Sequence, residues 1–71
     1  MKYYYEYKEK NGCEVGGHNL IRIEFYDNYI KLIGVDIIST RYDNKISHWR
    51  IILDMKNIEY LKIEPMLEKG E

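Results

Sequence analysis

The chain has 71 residues, of which 45% are hydrophobic and 32% charged, and 11 Lys and Arg against 12 Asp and Glu leave a net charge of −1. This length predicts a single small domain over residues 1–71, with 65–71 as a short C-terminal tail, and a fold of this size buries only about 60% of the surface that its unfolded chain exposes. The near-neutral charge argues against a general nucleic-acid or membrane binder, whose surface carries a basic excess.

Period-2 alternation of apolar and polar residues predicts five strands. They span residues 2–9, 18–26, 29–40, 46–53 and 58–64. The apolar residues are mostly β-branched or aromatic, alanine is absent, and the short connections rich in Asn, Asp and Gly favour antiparallel pairing of consecutive strands. The expected fold is therefore all-β: a five-stranded antiparallel meander, strongly bent into a small barrel of the SH3-like or Sm-like kind.

The first strand places Tyr3, Tyr5 and Tyr7 on one face, with Lys8 beside them. Aromatic rings on a sheet can stack the bases of single-stranded nucleic acid, so these four residues define an alternative function as a nucleic-acid site. Neighbouring glutamates offset the positive charge that such a site needs. We therefore favour the interpretation in which the rings cover the small core and keep their hydroxyls at its rim.

Gly16 and Gly17 predict a bend where the chain enters the second strand. The loop around them lacks the Gly-Lys-Ser/Thr ending of a phosphate-binding P-loop. A small-ligand pocket at the mouth of the barrel, near His18 and lined by tyrosines, is a further alternative function.

A two-residue loop at Asp27 and Asn28 sets the register between the second and third strands. In that register one face of the hairpin is wholly apolar. This face consists of Ile21, Ile23, Phe25, Ile30 and Leu32. A slip of one residue would turn the whole set toward water, so the sequence specifies this register strongly.

The alternation of apolar residues along the third strand shifts by one position at Ile33 and Gly34. We predict a bulge there, because glycine commonly marks one. With a three-residue loop at 43–45, the next hairpin acquires two inner pairs. These are Val35 with Leu53 and Ile37 with Ile51.

The outward face of the same hairpin is then a mixed apolar and cationic patch, made of Ile38, His48, Arg50 and Ile52. Exposed apolar patches mark interfaces, and Arg is enriched in them. These four residues are the predicted partner-binding site.

The last segment allows two structures. In the favoured one it forms a tight turn and a fifth strand. In the alternative, an open β-sheet carries a C-terminal helix over residues 55–67, although the apolar spacing there is irregular and Pro65 would truncate the helix.

The residues that could carry chemistry are few. Cys13, His18 and His48 do not form a zinc motif, and no nucleophile, base and oxyanion donors occur in a recognisable set, so we expect no enzyme activity, no cofactor and no metal. A single cysteine suits a reducing compartment, and the chain shows neither the apolar region of a signal peptide nor a run of about 20 apolar residues that could span a bilayer. We expect a cytoplasmic protein.

These observations favour a non-enzymatic intracellular binding module that acts through a protein–protein interface. The expected partner is a second copy, as in a homodimer, or a larger protein that the module inhibits or scaffolds. Frequent Lys, Ile, Asn and Tyr are typical of AT-rich genomes, which favours a bacterial, phage or mobile-element source.

Overall fold

The computed structural model describes residues 1–67 and contains five β-strands. These are β1 (Tyr3–Glu9), β2 (Glu14–Phe25), β3 (Tyr29–Ser39), β4 (Asn44–Asp54) and β5 (Ile58–Pro65). All pairings are antiparallel within one sheet, which confirms the all-β class and the five strands. The alternative C-terminal helix is wrong, because that segment forms the β4–β5 turn and β5. Of the predicted tail, residues 68–71 lie outside the described residues.

The strand order across the sheet is β4-β3-β2-β1-β5, so the last strand departs from a meander. It pairs with β1, from Tyr3 opposite Pro65 to Glu9 opposite Ile58, and not with β4. Because β4 and β5 are the two edges, the sheet is not closed. It is nevertheless strongly bent, since β4 and β5 lie at opposite edges of the sheet but are connected by residues 55–57 alone.

The β2–β3 hairpin has the predicted register. Glu24 lies opposite Lys31, and the amide of Tyr26 donates to the carbonyl of Tyr29 across the two-residue loop at 2.9 Å. Of the predicted apolar face, Ile30 and Leu32 are buried and Ile23 is partly buried. Two other members, Ile21 and Phe25, are exposed instead, and Phe25 at the end of β2 is 70% exposed.

The irregularities lie on β2 and not on β3. The register slips around Ile21, because Leu20 faces Gly34 whereas Arg22 faces Ile33, and this extra residue turns Ile21 outward. A second slip against β1 lies near Asn19, which has a φ of 65°. Asparagine tolerates this left-handed conformation better than most residues. The bulge predicted on β3 and the bend predicted at Gly16 and Gly17 are therefore wrong, and β2 begins at Glu14.

The β3–β4 register also differs from the prediction. The pairs run from Tyr29 opposite Asp54 to Ser39 opposite Asn44, so β3 pairs with β4 without interruption. The reason is a turn at 40–43, in which Thr40 N–H donates to the carbonyl of Asp43 at 2.8 Å and the Thr40 hydroxyl accepts from the Asp43 amide at 3.0 Å. The inner pairs predicted for this hairpin do not form.

The core lies on the concave face of the bent sheet. Its buried side chains come from four strands: Tyr7, Leu20, Ile30, Leu32 and Leu53. Partly buried side chains surround them, with β5 contributing Ile58, Leu61 and Ile63. This small interior explains why β5 docks on β1, since its apolar residues extend the cover over Tyr7.

The β3–β4 hairpin extends beyond the rest of the sheet. The last pair between β2 and β3 is Leu20 with Gly34, whereas β3 and β4 stay paired as far as Ser39 and Asn44. Residues 35–48 therefore form a two-stranded arm. The arm makes the molecule elongated, with a longest axis of 43 Å and a radius of gyration of 14.0 Å, where a compact chain of this length has about 11 Å.

Candidate functional site

The tyrosines of β1 belong to the core face. Tyr7 is 6% exposed, and Tyr3 and Tyr5 are partly buried against the core cluster. Lys8 lies near Glu59 on β5, with Nζ 3.9 Å from a carboxylate oxygen. The four residues of the nucleic-acid alternative therefore do not form an open stacking face: the ring of Tyr7 has no free side for a base, and a carboxylate offsets the lysine.

The outward face of β3 and β4 is more apolar than predicted. It carries seven residues, here called the outer patch: Ile33, Val35, Ile37, Ile46, His48, Arg50 and Ile52. Val35 and Ile37, which the predicted register placed inside, therefore lie on this face. Ile46 is 67% exposed and Ile52 54% exposed.

Three of the four predicted partner-binding residues, His48, Arg50 and Ile52, share the outer patch. The fourth, Ile38, is opposite Lys45 on the other face of the arm, so it does not join them. The error follows from the incorrect register. Within residues 1–67, Arg50 makes no salt bridge, which leaves its guanidinium available to a partner.

Beside the outer patch, toward the β2–β3 loop, the charges are already paired. Glu24 lies 3.1 Å from Arg22 and 3.6 Å from Lys31, and it accepts a hydrogen bond from the Tyr26 hydroxyl at 2.9 Å. That hydrogen bond is the main reason why the pKa of the Glu24 carboxyl is held below its ordinary value, and the two cations add to it. The same hydrogen bond raises the pKa of Tyr26.

The two edges of the sheet differ in character. On β5, Glu59, Lys62 and Glu64 carry charges and Pro65 ends the strand, and charges and proline both discourage edge-to-edge pairing. On β4, residues 46–53 contain neither proline nor glycine, and Arg50 is the only Lys, Arg, Asp or Glu among them. The edge of β4 is therefore long, apolar and open.

A groove lies on the opposite face, at the base of the arm. It has a volume of about 340 Å³ and is lined by Tyr5, Gly17, His18, Asp36, Trp49 and Ile51. Tyr5, Gly17 and His18 belong to the region where the sequence predicts a ligand pocket. The sequence does not predict Asp36 and Trp49 in this pocket, because the incorrect β3–β4 register gives both residues other neighbours.

Two glycines support the aromatic walls of this groove. The Trp49 ring occupies the space where a side chain on Gly34 would start, and the Tyr5 ring lies similarly against Gly17. The two rings are tilted by 48° to each other and form a corner. Asp36 lines the groove together with these rings. Burial, and to a lesser degree the charge of Asp36, raises the pKa of Tyr5.

Other chemistry finds little support in the described part of the chain. Cys13 is an exposed free thiol in the β1–β2 turn, where its amide donates to the Asn11 side chain at 2.9 Å. Across residues 1–67, no three His, Cys, Asp or Glu side chains cluster as a metal site requires. The same residues include no helix that is long and apolar enough to cross a membrane.

Comparison with known proteins gives no assignment: no protein-family model, curated protein or solved structure matches the chain. The functional argument therefore rests on the arm, the open edge of β4 and the groove at the base of the arm.

Proposed function

We propose that the protein is a non-enzymatic, cytoplasmic binding module that associates with a second copy of itself through the arm and the edge of β4. The projecting arm is the observation that carries this proposal. An isolated two-stranded ribbon is marginally stable in water, and this one exposes isoleucines on both faces. A partner that adds strands beside β4 satisfies the free edge and places its own side chains next to those of β4 on both faces.

The contrast between the edges favours pairing of β4 with β4. Because β5 carries the charges and proline that oppose strand addition, β4 is the preferred edge in each copy. The net charge of −1 produces almost no repulsion between copies. A symmetric interface also presents the same surface twice, so one apolar edge is sufficient.

The sequence of β4 selects a register for this pairing. An antiparallel pair centred on Arg50 would set two guanidinium groups against each other. A pair centred on Trp49 avoids that contact: it places Ile46 of each copy opposite Ile52 of the other on the outer face, and His48 opposite Arg50. Such apolar cross-strand pairs contribute roughly 0.2–1 kcal/mol each and occur twice in a symmetric dimer.

Sedimentation velocity over a range of protein concentrations tests the proposal. The parent chain is expected to dimerise, and Ile46→Glu and Ile52→Lys are each expected to weaken the dimer about two- to thirtyfold, because each variant loses two apolar cross-strand pairs of roughly 0.2–1 kcal/mol. Mixing the two variants restores association, since the mixed dimer sets the introduced glutamate of one copy opposite the introduced lysine of the other and keeps one isoleucine pair.

Phe25→Glu is the matched control, because Phe25 is also apolar and exposed but lies on β2, two strands away from the edge of β4 and on the face opposite to the outer patch. It is expected to leave the dimer unchanged. A parent chain that stays monomeric at high concentration would refute association with itself. A dimer that both β4 variants leave intact would show that another surface holds it.

A further inference from the structure

The groove at the base of the arm combines two aromatic rings with one carboxylate. The rings of Tyr5 and Trp49 meet at a centroid distance of 5.5 Å and an angle of 48°, so two π faces border the same space. Both rings are held in place, since each lies against a glycine of the neighbouring strand. An aromatic corner that is already formed in the free protein loses little entropy when a ligand binds.

The charge in the groove is negative. Asp36 lines it, and the described lining contains no Lys or Arg; His18 is the other titratable side chain there besides Tyr5, and it forms no salt bridge with Asp36. Among residues 1–67, Asp36 forms no salt bridge, so none of the described cationic side chains is paired with it. A carboxylate beside aromatic faces attracts a cation twice, through its own charge and through the quadrupoles of the rings.

The remaining lining adds a preference for methyl groups. Ile51 forms an apolar wall beside Trp49, and the absence of a side chain on Gly17 lets the Tyr5 ring lie directly against β2. A bare ammonium or sodium ion would lose its water without gaining apolar contacts. A methylated ammonium is more weakly hydrated and carries methyl groups that pack against rings and isoleucine.

From this combination we propose that the groove binds a methylated ammonium group, held by the faces of Tyr5 and Trp49 and balanced by Asp36. The site lies on the opposite face from the outer patch. Because Trp49 also lies at the centre of the proposed β4–β4 pair, the titrations below are made on Ile46→Glu as well as on the parent, which separates ligand binding from self-association. The same chemical group occurs on free quaternary amines and on methylated lysine side chains of proteins.

Trp49 is the only tryptophan of the chain, so its fluorescence reports directly on the groove. Titration with tetramethylammonium is expected to change this fluorescence in a saturable way and to shift the NMR signals of the Tyr5 ring. Sodium chloride at equal ionic strength gives no saturable change. The uncharged tert-butyl analogue of choline, which matches choline in shape, is expected to bind several-fold more weakly than choline.

Asp36→Asn tests the carboxylate, since it keeps the shape and removes the charge of an exposed residue. It is expected to weaken tetramethylammonium binding about fivefold. Asp27→Asn is the matched control, because it makes the same change in the distant β2–β3 loop, and it leaves the affinity unchanged. The inference is overturned if the parent shows no saturable response, if the uncharged analogue binds as well as choline, or if the two variants bind equally.

A second pair of probes identifies the source of the group. Choline represents free quaternary amines, and a short peptide containing trimethyllysine represents modified proteins. Tighter binding of the trimethyllysine peptide than of both choline and the same peptide with unmodified lysine assigns the site to a protein ligand. Tighter binding of choline than of the trimethyllysine peptide assigns it to a small molecule.

Discussion

Replacing Gly34 with alanine tests the central packing contact of the molecule. The Trp49 ring fills the position of the new methyl group, so the ring must move away from β3 and from its contact with Tyr5. Overpacking of this kind costs about 1–3 kcal/mol, whereas removing a glycine from a strand returns about 0.5–1 kcal/mol, which leaves a net loss of up to about 2.5 kcal/mol. For a domain of this size the melting temperature is expected to fall by up to about 20 °C.

Gly16→Ala is the matched control on the adjacent part of the sheet. A methyl group there would lie 3.5 Å from the carbonyl oxygen of Tyr5, an ordinary contact, so only the entropic gain remains and the melting temperature is expected to stay equal or rise slightly. Thermal unfolding followed by circular dichroism measures both variants. NMR gives a second check, because the Gly34 α-protons of the parent lie against the indole and are expected to be shifted by its ring current. If Gly34→Ala is as stable as Gly16→Ala and leaves the Trp49 signals unchanged, the close approach is refuted.

Two further outcomes follow from burial and from the Glu24 cluster. Leu32→Ala is expected to lower the free energy of unfolding by about 2–5 kcal/mol, because Leu32 is fully buried. Phe25→Ala is expected to change it by less than about 0.5 kcal/mol, because Phe25 is exposed. Urea denaturation measures both variants, and equal effects would contradict the described core. Tyr26→Phe removes the hydrogen bond that lowers the pKa of Glu24, so that pKa is expected to rise toward its ordinary value. NMR titration measures it. An unchanged pKa would contradict the role given to the Tyr26 hydroxyl. Because the folded pKa of Glu24 is depressed, its contribution to stability is present above the unfolded value near 4.5 and is lost as the pH falls through the folded pKa.

The β2–β3 hairpin could be predicted because two independent signals agree on it. The loop at Asp27 and Asn28 has the length and residues of a tight turn, and one register makes Ile30 and Leu32 part of a continuous apolar face. The all-β class could also be predicted, because most apolar residues of the chain are β-branched or aromatic.

The β3–β4 register could not be predicted, because residues 40–45 are polar and allow turns of several lengths. The hydrogen bonds between Thr40 and Asp43 select a four-residue turn, and alternation alone does not reveal them. The pairing of β5 with β1 could not be predicted either, because the bend of the whole sheet determines which strand β5 lies beside. The incorrect β3–β4 register also affects the prediction of the groove. It gives Trp49 and Asp36 other neighbours, so the sequence places only Tyr5, Gly17 and His18 in the correct region.

The pairing of β1 with β5 has a consequence for biosynthesis. The amide of Met66 reaches the carbonyl of Lys2 at 3.0 Å, so the two ends of the described sheet are hydrogen-bonded to each other. A nascent chain that has emerged only through β4 leaves β1 without a neighbour on its outer side and Tyr7 without part of its apolar cover. Contacts between such distant parts of a sequence form late, because their loop-closure entropy must be overcome first. The native state is therefore reached only after β5 has left the ribosome, and a chain truncated before Ile58 is expected to be an incomplete, protease-sensitive intermediate.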